Sequence, residues 1–272
     1  HVFSIAQTGV DEAFGDQSTH EKRLKDAVDV IMARSVSFGA ETVVFPEGLA
    51  FPSASVPPPS APSTSGDIAV LFGGNRIEGD RTYQTAYVYD GEWKYADKTR
   101  LVIFGEYVPF RDQLSFLQAF QLPSGDFDAA KEFKTLDVRG VKLGQLICFE
   151  GLFPDLAERH SRNGARFLAV MAIDDWYVGT PAHEQLMTSS VWRSIESGLP
   201  LVRATSLGSS LVTDARGDVL ASTEFGVTAA MRAEVLVPDR SDAFDYRFGF
   251  VWLCWLAIAY VYFDRYFRPR TP

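Results

Sequence analysis

Three stretches of this chain set a polar, reactive side chain where an apolar run gives out. Val43-Val44-Phe45-Pro46-Glu47-Gly48 puts a carboxylate just past one run, and Tyr95-Ala96-Asp97-Lys98-Thr99-Arg100-Leu101 puts an ammonium in the loop after another. Gly144-Gln145-Leu146-Ile147-Cys148-Phe149-Glu150 ends a third run on a thiol, and a helical pattern follows over 150–160, stopping before Asn163-Gly164. In open α/β sheets, sites form at the carboxyl ends of strands. A thiol, a carboxylate and an ammonium gathered there make a device for acyl transfer. Glu47 takes the thiol proton and later returns it as a general acid. Lys98 beside Cys148 lowers the thiol pKa and, with a backbone N–H after the cysteine, stabilises a tetrahedral oxyanion. The product is a thioester acyl-enzyme, resolved by water or by an amine. A sharp strand-to-helix turn at Cys148 would expose the sulphur and aim the opening amides of the next helix at it. Each residue alone also has an ordinary reading: a buried small hydrophobe for the cysteine, a solvated turn for the Glu after Pro, surface charge for the lysine.

The elements that must position these groups follow from periodicity. Residues 2–7 read as a buried strand. Leu24, Ala27, Val28, Ile31 and Met32 fall at helical spacing within 21–36, and 42–45 is the next strand, so the chain opens on a βαβ unit with helices packed on a sheet. Residues 53–65, with Pro57-Pro58-Pro59, read as a loop. Strands are expected over 68–75, 82–89 and 92–95, with a short apolar segment over 114–120 that helical spacing allows. A hairpin over 133–138 and 141–147 turns at Arg139-Gly140. A strand over 167–171 and a helix over 183–197, stopped by Gly198 and Pro200, follow. Strands over 201–204, 210–213, 219–222 and 231–236 close a domain assigned to 1–240. The pattern gives an α/β fold with inserted hairpins.

Hydrophobic content of 46% against 22% charged residues gives enough apolar material for a sizeable core. The net charge of -9, with no basic cluster interleaved with aromatics, argues against nucleic acid as a partner. Two cysteines in unlike settings, Cys148 and Cys254, give no disulfide framework, and the four histidines lack ligand spacing, so neither a metal nor another cofactor is expected. The sequence starts at His1 directly in a strand pattern, as expected of a fragment or processed product. Residues 248–263 are sixteen positions without a charge, rich in Trp and Tyr. Spanning a hydrocarbon core takes ~20 residues, ~17 at the least, so this run reads as a membrane span or the stub of one, in a second segment assigned to 241–272, with a buried C-terminal helix or an oligomer contact as the other reading. If it spans, Arg265, Arg268 and Arg270 put the C-terminus in the cytoplasm.

Phe45-Pro46-Glu47-Gly48, then Lys98-x-x-Leu101-Val102-x-Phe104-Gly105-Glu106-Tyr107-Val108-Pro109-Phe110, then Cys148-Phe149-Glu150-x-x-Phe153-Pro154, resemble the nitrilase (carbon–nitrogen hydrolase) superfamily. Within it they resemble the catalytic domain of the apolipoprotein N-acyltransferase family, with Leu101-Val102-Ile103-Phe104-Gly105-Glu106-Tyr107-Val108-Pro109-Phe110 the most specific string. Asp174-Asp175-Trp176-Tyr177 and the stretch from Arg193 through Glu196 and Arg203 to Thr205 extend the likeness, which runs over about 2–236. The resemblance implies a four-layer αββα sandwich, with the apolar C-terminal helix as the family's last membrane helix. It implies Glu47 as general base, Lys98 as oxyanion-stabilising cation and Cys148 as nucleophile. Glu106 would support Lys98, and Phe149 and Glu150 would help position the site; Glu106 and Glu150 as ion-pair partners of Arg100 or Arg111 is the other reading. The implied reaction moves an acyl chain from a phospholipid donor to Cys148, then to the N-terminal amine of a diacylglyceryl-cysteine lipoprotein, at the inner membrane with the catalytic domain facing the periplasm. An amide hydrolase using the same three residues is the alternative. Three positions depart from the family pattern. Phe149 stands where the family usually has Tyr, so the ring is kept and the hydroxyl is lost; Ile173 replaces a usual Asn; and no Trp falls between Gly9 and His20.

Overall fold

The computed structural model describes residues 1–10, 17–48, 50–53, 68–110, 126–239 and 246–267. Its strands form two sheets. One runs β13 (Ala229–Glu234), β1 (Val2–Gln7), β2 (Thr42–Val44), β4 (Ala69–Glu78), β5 (Arg81–Tyr89), β6 (Trp93–Asp97), with β3 (Ala50–Ser53) also alongside β4. The other runs β12 (Val219–Ser222), β11 (Leu211–Thr213), β10 (Leu201–Thr205), β9 (Phe167–Ala172), β8 (Val141–Ile147), β7 (Leu136–Val138). β1, β2 and β4 are parallel neighbours, as are β8, β9 and β10; antiparallel strands flank both groups.

Side-chain alternation sorts the apolar residues into three layers of core. Phe3, Ile5, Val44, Leu71, Ala86 and Val88 of the first sheet meet Leu143, Ile147, Phe167, Met171, Val202 and Ala204 of the second, and this is the inter-sheet core. The opposite face of the first sheet, through Val43, Phe45, Val70 and Phe72, packs on Ile31 and Met32 of α1 (Gln17–Ser37). The opposite face of the second sheet, through Leu146, Leu168, Val170 and Leu201, packs on Leu156 and Ala157 of α2 (Pro154–Arg162), with Met187 and Val191 of α3 (Ala182–Ser197) against the same cluster. Strands buried on both faces read as unbroken apolar runs, which is why Phe-Leu-Ala-Val-Met-Ala is buried at every position of β9. The expected four-layer αββα sandwich is present.

The 21–36 helix is longer at both ends, and β3 was not foreseen in the Pro/Ser-rich stretch after Glu47. The hairpin turn at Arg139-Gly140 is formed, both residues having positive φ of 53° and 73°. The helix after Cys148 divides into a 3-10 turn over Cys148–Leu152 and α2, which begins at Pro154 because proline suits a first helical position. The expectations for 54–65, 114–120 and the three C-terminal arginines lie outside the residues whose side chains are described.

The tail needs a correction. Residues of the apolar run are helical, within α4 (Tyr246–Phe267). Yet among the described residues no helix is long and apolar enough to cross a membrane. Sixteen uncharged residues at 1.5 Å rise reach only ~24 Å against a hydrocarbon core of ~30 Å. Its Trp, Tyr and Gly also dilute the aliphatic content.

Candidate active site

The three sequence-selected groups converge at one edge of the sandwich. Glu47 follows β2, Lys98 follows β6, and Cys148 follows β8. The Pro46-Glu47 turn lies on β4: Gly73 N–H donates to the Pro46 carbonyl at 3.1 Å, and a Cβ at Gly73 would sit 2.8 Å from Glu47 Cα. Only glycine lets the turn come that close. Cys148 has φ +52°, rare for a side chain outside glycine, at the junction of β8 and the 3-10 turn. That left-handed residue makes the sharp turn that the sequence implied, at a cost of about 1–2 kcal/mol.

Glu150 holds the turn in place. One of its oxygens accepts the Ile147 N–H at 3.0 Å. The other accepts the Thr99 N–H at 2.8 Å, the Thr99 hydroxyl at 2.9 Å and the Arg100 N–H at 3.0 Å. A single buried carboxylate thus ties the Cys148 turn to the Lys98 loop. Glu106 does the same for the ammonium: Lys98 Nζ donates to Glu106 Oε1 at 2.5 Å, and Glu106 Oε2 accepts the Val102 N–H at 2.9 Å. The ion-pair alternative for these two acids therefore fails for Arg100, whose guanidinium is bidentate to Asp155; Arg111 lies outside the described residues. Phe149 packs its ring 6.0 Å from that of Tyr177.

Sequence reasoning missed Gln84. Its Oε1 accepts from Lys98 Nζ at 2.9 Å and its carbonyl accepts the Lys98 N–H at 2.7 Å. A signal was available: Gln84 shares the face of β5 that carries Ala86 and Val88 into the inter-sheet core, so an inward amide stands at the open end of that core.

The electrostatics revise one expectation. Burial raises the Glu47 pKa to about 7, against the pull of Lys98 and a hydrogen bond from the Cys148 thiol. Loss of hydration and the negative charge of Glu47 push the Cys148 pKa up to about 12, and Lys98 offsets only part of this. The nearby ammonium does not produce a resting thiolate. Lys98 pays for burial but stays charged, its pKa raised by Cys148, Glu47, Glu106 and Glu150. The arrangement is a neutral thiol beside a carboxylate that ionises near neutrality and a fixed cation. Such an arrangement can remove a proton from an attacking thiol and hold positive charge where an oxyanion would develop. Among the described residues no cluster of His, Cys, Asp and Glu is suited to a metal ion.

Residues 15–228 match the carbon-nitrogen hydrolase family. The chain belongs to that family. Among solved structures, a carbon-nitrogen hydrolase fold is shared with an amidase from Nesterenkonia sp., with TM-score 0.61 and 18% identity over 93% of this chain and 95% of that one; a further form of the AN1 amidase, described as of the nitrilase superfamily, gives 0.61 and 18% over 92% and 96%. At that identity the likeness speaks for fold alone. Among relatives, an apolipoprotein N-acyltransferase of Geobacter metallireducens is 35% identical over 161 residues, 58% of this chain and 31% of that one. One of Rhizobium rhizogenes is 38% identical over 152 residues, 53% of this chain and 28% of that one. This carbon-nitrogen hydrolase chain therefore spans about a third or less of the length of the relatives it matches.

Proposed function

We propose that this chain carries the acyl-transfer site of a lipoprotein N-acyltransferase, with Cys148 as nucleophile, Glu47 as general acid/base and Lys98 as oxyanion partner. The observation that carries the reading is the cluster of buried Glu47 and Lys98 with half-buried Cys148, in a chain whose relatives bear the apolipoprotein N-acyltransferase name. The Cys148 sulphur attacks the ester carbonyl of a phospholipid acyl chain as Glu47 takes the thiol proton. The tetrahedral oxyanion forms beside the Lys98 ammonium. Collapse breaks the ester C–O bond, and the departing lysophospholipid alkoxide takes the proton from Glu47. The neutral α-amine of a diacylglyceryl-cysteine then attacks the thioester carbonyl. Glu47 accepts an amine proton and returns it to sulphur as the C–S bond breaks, which restores the thiol and releases the amide.

Glu106, through Lys98, and Glu150, through both loops, are positioning residues in this scheme; Phe149 forms the wall beside the sulphur. Residues 1–240 form the catalytic domain and 241–272 a membrane-associated segment. The domain acts on the periplasmic face of the inner membrane, where both acyl donor and lipoprotein acceptor are presented, and α4 lies against that membrane rather than through it. The exposed apolar side chains of α4 support its association with the membrane.

The test is intact mass spectrometry after incubation with phospholipid in detergent. The expected result is a gain of one acyl chain that hydroxylamine removes and that a lipopeptide amine, not water, discharges; Cys148→Ala shows no gain. Turnover of a small amide that needs Cys148, with no acyl gain from phospholipid, would make the chain an amide hydrolase instead.

A further inference from the structure

The cation of the site hangs from the end of an edge strand. Among the described residues β6 is the last strand of its sheet, hydrogen-bonded to β5, and Asp97, opposite Thr85, is its final paired residue. Lys98 comes next. Side chains alternate across a sheet. Ala96 faces the inter-sheet core, and Lys98, two residues on, continues that face to Glu106 and Gln84. Tyr95 and Asp97 take the other face. An edge strand has a partner on one side only, and strand ends open most easily.

This end is clamped. Asp97 Oδ1 accepts Arg76 Nε at 2.9 Å and the Thr85 hydroxyl at 2.7 Å, and Oδ2 accepts Arg76 Nη2 at 2.6 Å. The fork of the guanidinium on the carboxylate joins β4, β5 and β6 through side chains. The same guanidinium lies over two rings, its carbon 4.5 Å from the Tyr83 centroid and 4.9 Å from that of Tyr95. Its Nη1 reaches Glu78, an exposed acid at the end of β4, at 3.2 Å. Arg76 is buried, and the Asp97 side chain is only 13% exposed.

Stability is a poor reason for such a pair. Taking two charges out of water costs about what their attraction returns, and apolar side chains of similar volume often hold a fold as well. What the pair supplies is a fixed geometry, and the backbone directly past it belongs to Lys98. There the Lys98 N–H donates to the Gln84 carbonyl at 2.7 Å, and the Lys98 carbonyl accepts the Ala130 N–H at 2.8 Å.

We propose that Arg76 and Asp97 are positioning residues of this site: their bidentate pair pins the end of β6 and so sets where the Lys98 ammonium stands beside Glu47 and Cys148. Neither touches the reacting atoms. The inference rests on the reading of Lys98 as oxyanion partner and adds what holds that cation in place.

Glu47 reports the position of Lys98. The ammonium lowers the Glu47 pKa against burial, Glu106 and Glu150, and the Cys148 thiol hydrogen bond adds to that pull. A displaced ammonium lets the Glu47 value rise. The experiment uses the full chain with Cys254→Ser, which leaves Cys148 as the one thiol, and adds Asp97→Asn, Arg76→Lys or Glu78→Gln. Asn keeps the size of Asp97 and an acceptor for Thr85. Lys keeps the charge of Arg76 but cannot span two oxygens. Glu78→Gln breaks the other ion pair of the same guanidinium. Acyl-enzyme formation is timed by intact mass as a function of pH, with p-nitrophenyl butyrate and separately with phospholipid in detergent, and melting temperature is read alongside.

Asp97→Asn is expected to acylate ~10²-fold more slowly at its plateau, as for a catalytic group displaced by about 1 Å. Its half-point should move up from near 7 to about 8. Arg76→Lys should move both in the same direction by less, and Glu78→Gln should leave both at their wild-type values. A wild-type half-point in Asp97→Asn and Arg76→Lys overturns the inference even if both melt lower, because a structural role alone does not move it. A Glu78→Gln profile displaced as far as that of Asp97→Asn overturns it as well. Should Asp97→Asn fail to fold, Arg76→Lys decides. Wild-type acylation by the aryl ester but not by phospholipid overturns the lipid acyl-transfer reading, and the comparison is then decided on the aryl ester. Acylation by neither overturns both.

Discussion

At the scale of residues, the decisive quantity is the proton between Cys148 and Glu47. A thiol held near 12 is almost wholly protonated at neutral pH, so reaction depends on a base that is ionised at the moment of attack. Glu47, raised to about 7, is ionised only above that value. Cys148 acylation should therefore climb with pH, reach half its maximum near pH 7 and flatten above it; a rate–pH profile of acyl-enzyme formation checks this. A profile with its half-point near 4.5 would mean that Glu47 is hydrated in solution. Glu47→Gln should slow acylation ~10²–10⁴-fold, the usual worth of a positioned base, with little change in melting. The convergence of Glu47, Lys98 and Cys148 was legible because each closes an apolar run, and strand ends converge in α/β sheets. Their protonation was not legible. It depends on how much water three separate loops exclude together, which no local window of sequence contains.

At the scale of elements, the site is an agreement between two loops, and Glu150 enforces it. Its carboxylate accepts three backbone N–H groups and one hydroxyl from both sides of the join. Glu150→Ala leaves those donors without their acceptor in a buried setting, for ~3–5 kcal/mol of lost stability. Urea unfolding should show it as a lower midpoint, and Cys148 alkylation should speed up as the turn loosens. A second element contact ties pH to folding. His160 of α2 packs where Gly144 of β8 leaves no room for a side chain, a Cβ there lying 2.7 Å from His160 Cβ. Burial lowers its pKa from 6.5 to about 3. The unfolded chain binds a proton at His160 below about 6.5 while the folded chain does not, so this contribution is whole above that pH and fades as pH falls toward 3. Near pH 5 the loss amounts to ~2 kcal/mol. Denaturation midpoints of wild type should drop between pH 7 and 5, and His160→Gln should show a shallower drop. Strand and helix positions were largely legible from period 2 and period 3.6 patterns, as for β1, β5 and α3. β3 was not, because Ala50-Phe51-Pro52-Ser53 borrows its conformation from β4 alongside it rather than from its own composition.

At the scale of the whole molecule, the sandwich and α4 differ in how they treat apolar surface. The sandwich buries its Phe, Leu and Val in three layers. On α4 consecutive large side chains stay open: Phe250, Trp252, Leu253, Trp255, Leu256, Ile258 and Tyr260 are each more than half exposed. Neighbours at those spacings point all round the helix, so the exposure is not the outer stripe of an amphipathic helix resting on a core. Apolar surface of that extent calls for a covering phase, and a helix too short to cross a bilayer with its uncharged run is still suited to the headgroup boundary, where Trp and Tyr settle. The sandwich, by contrast, has its own closed core and should stand without the tail. A chain ended at Asp239 is therefore expected to remain monodisperse without detergent and to keep iodoacetamide alkylation of Cys148. The longer chain should co-sediment with phospholipid vesicles, with a blue shift of tryptophan emission as Trp252 and Trp255 leave water, and the shortened chain should do neither. Aggregation of the shortened chain would mean instead that α4 covers part of the sandwich, and that the apolar run was legible as a helix but misread as an attachment to lipid.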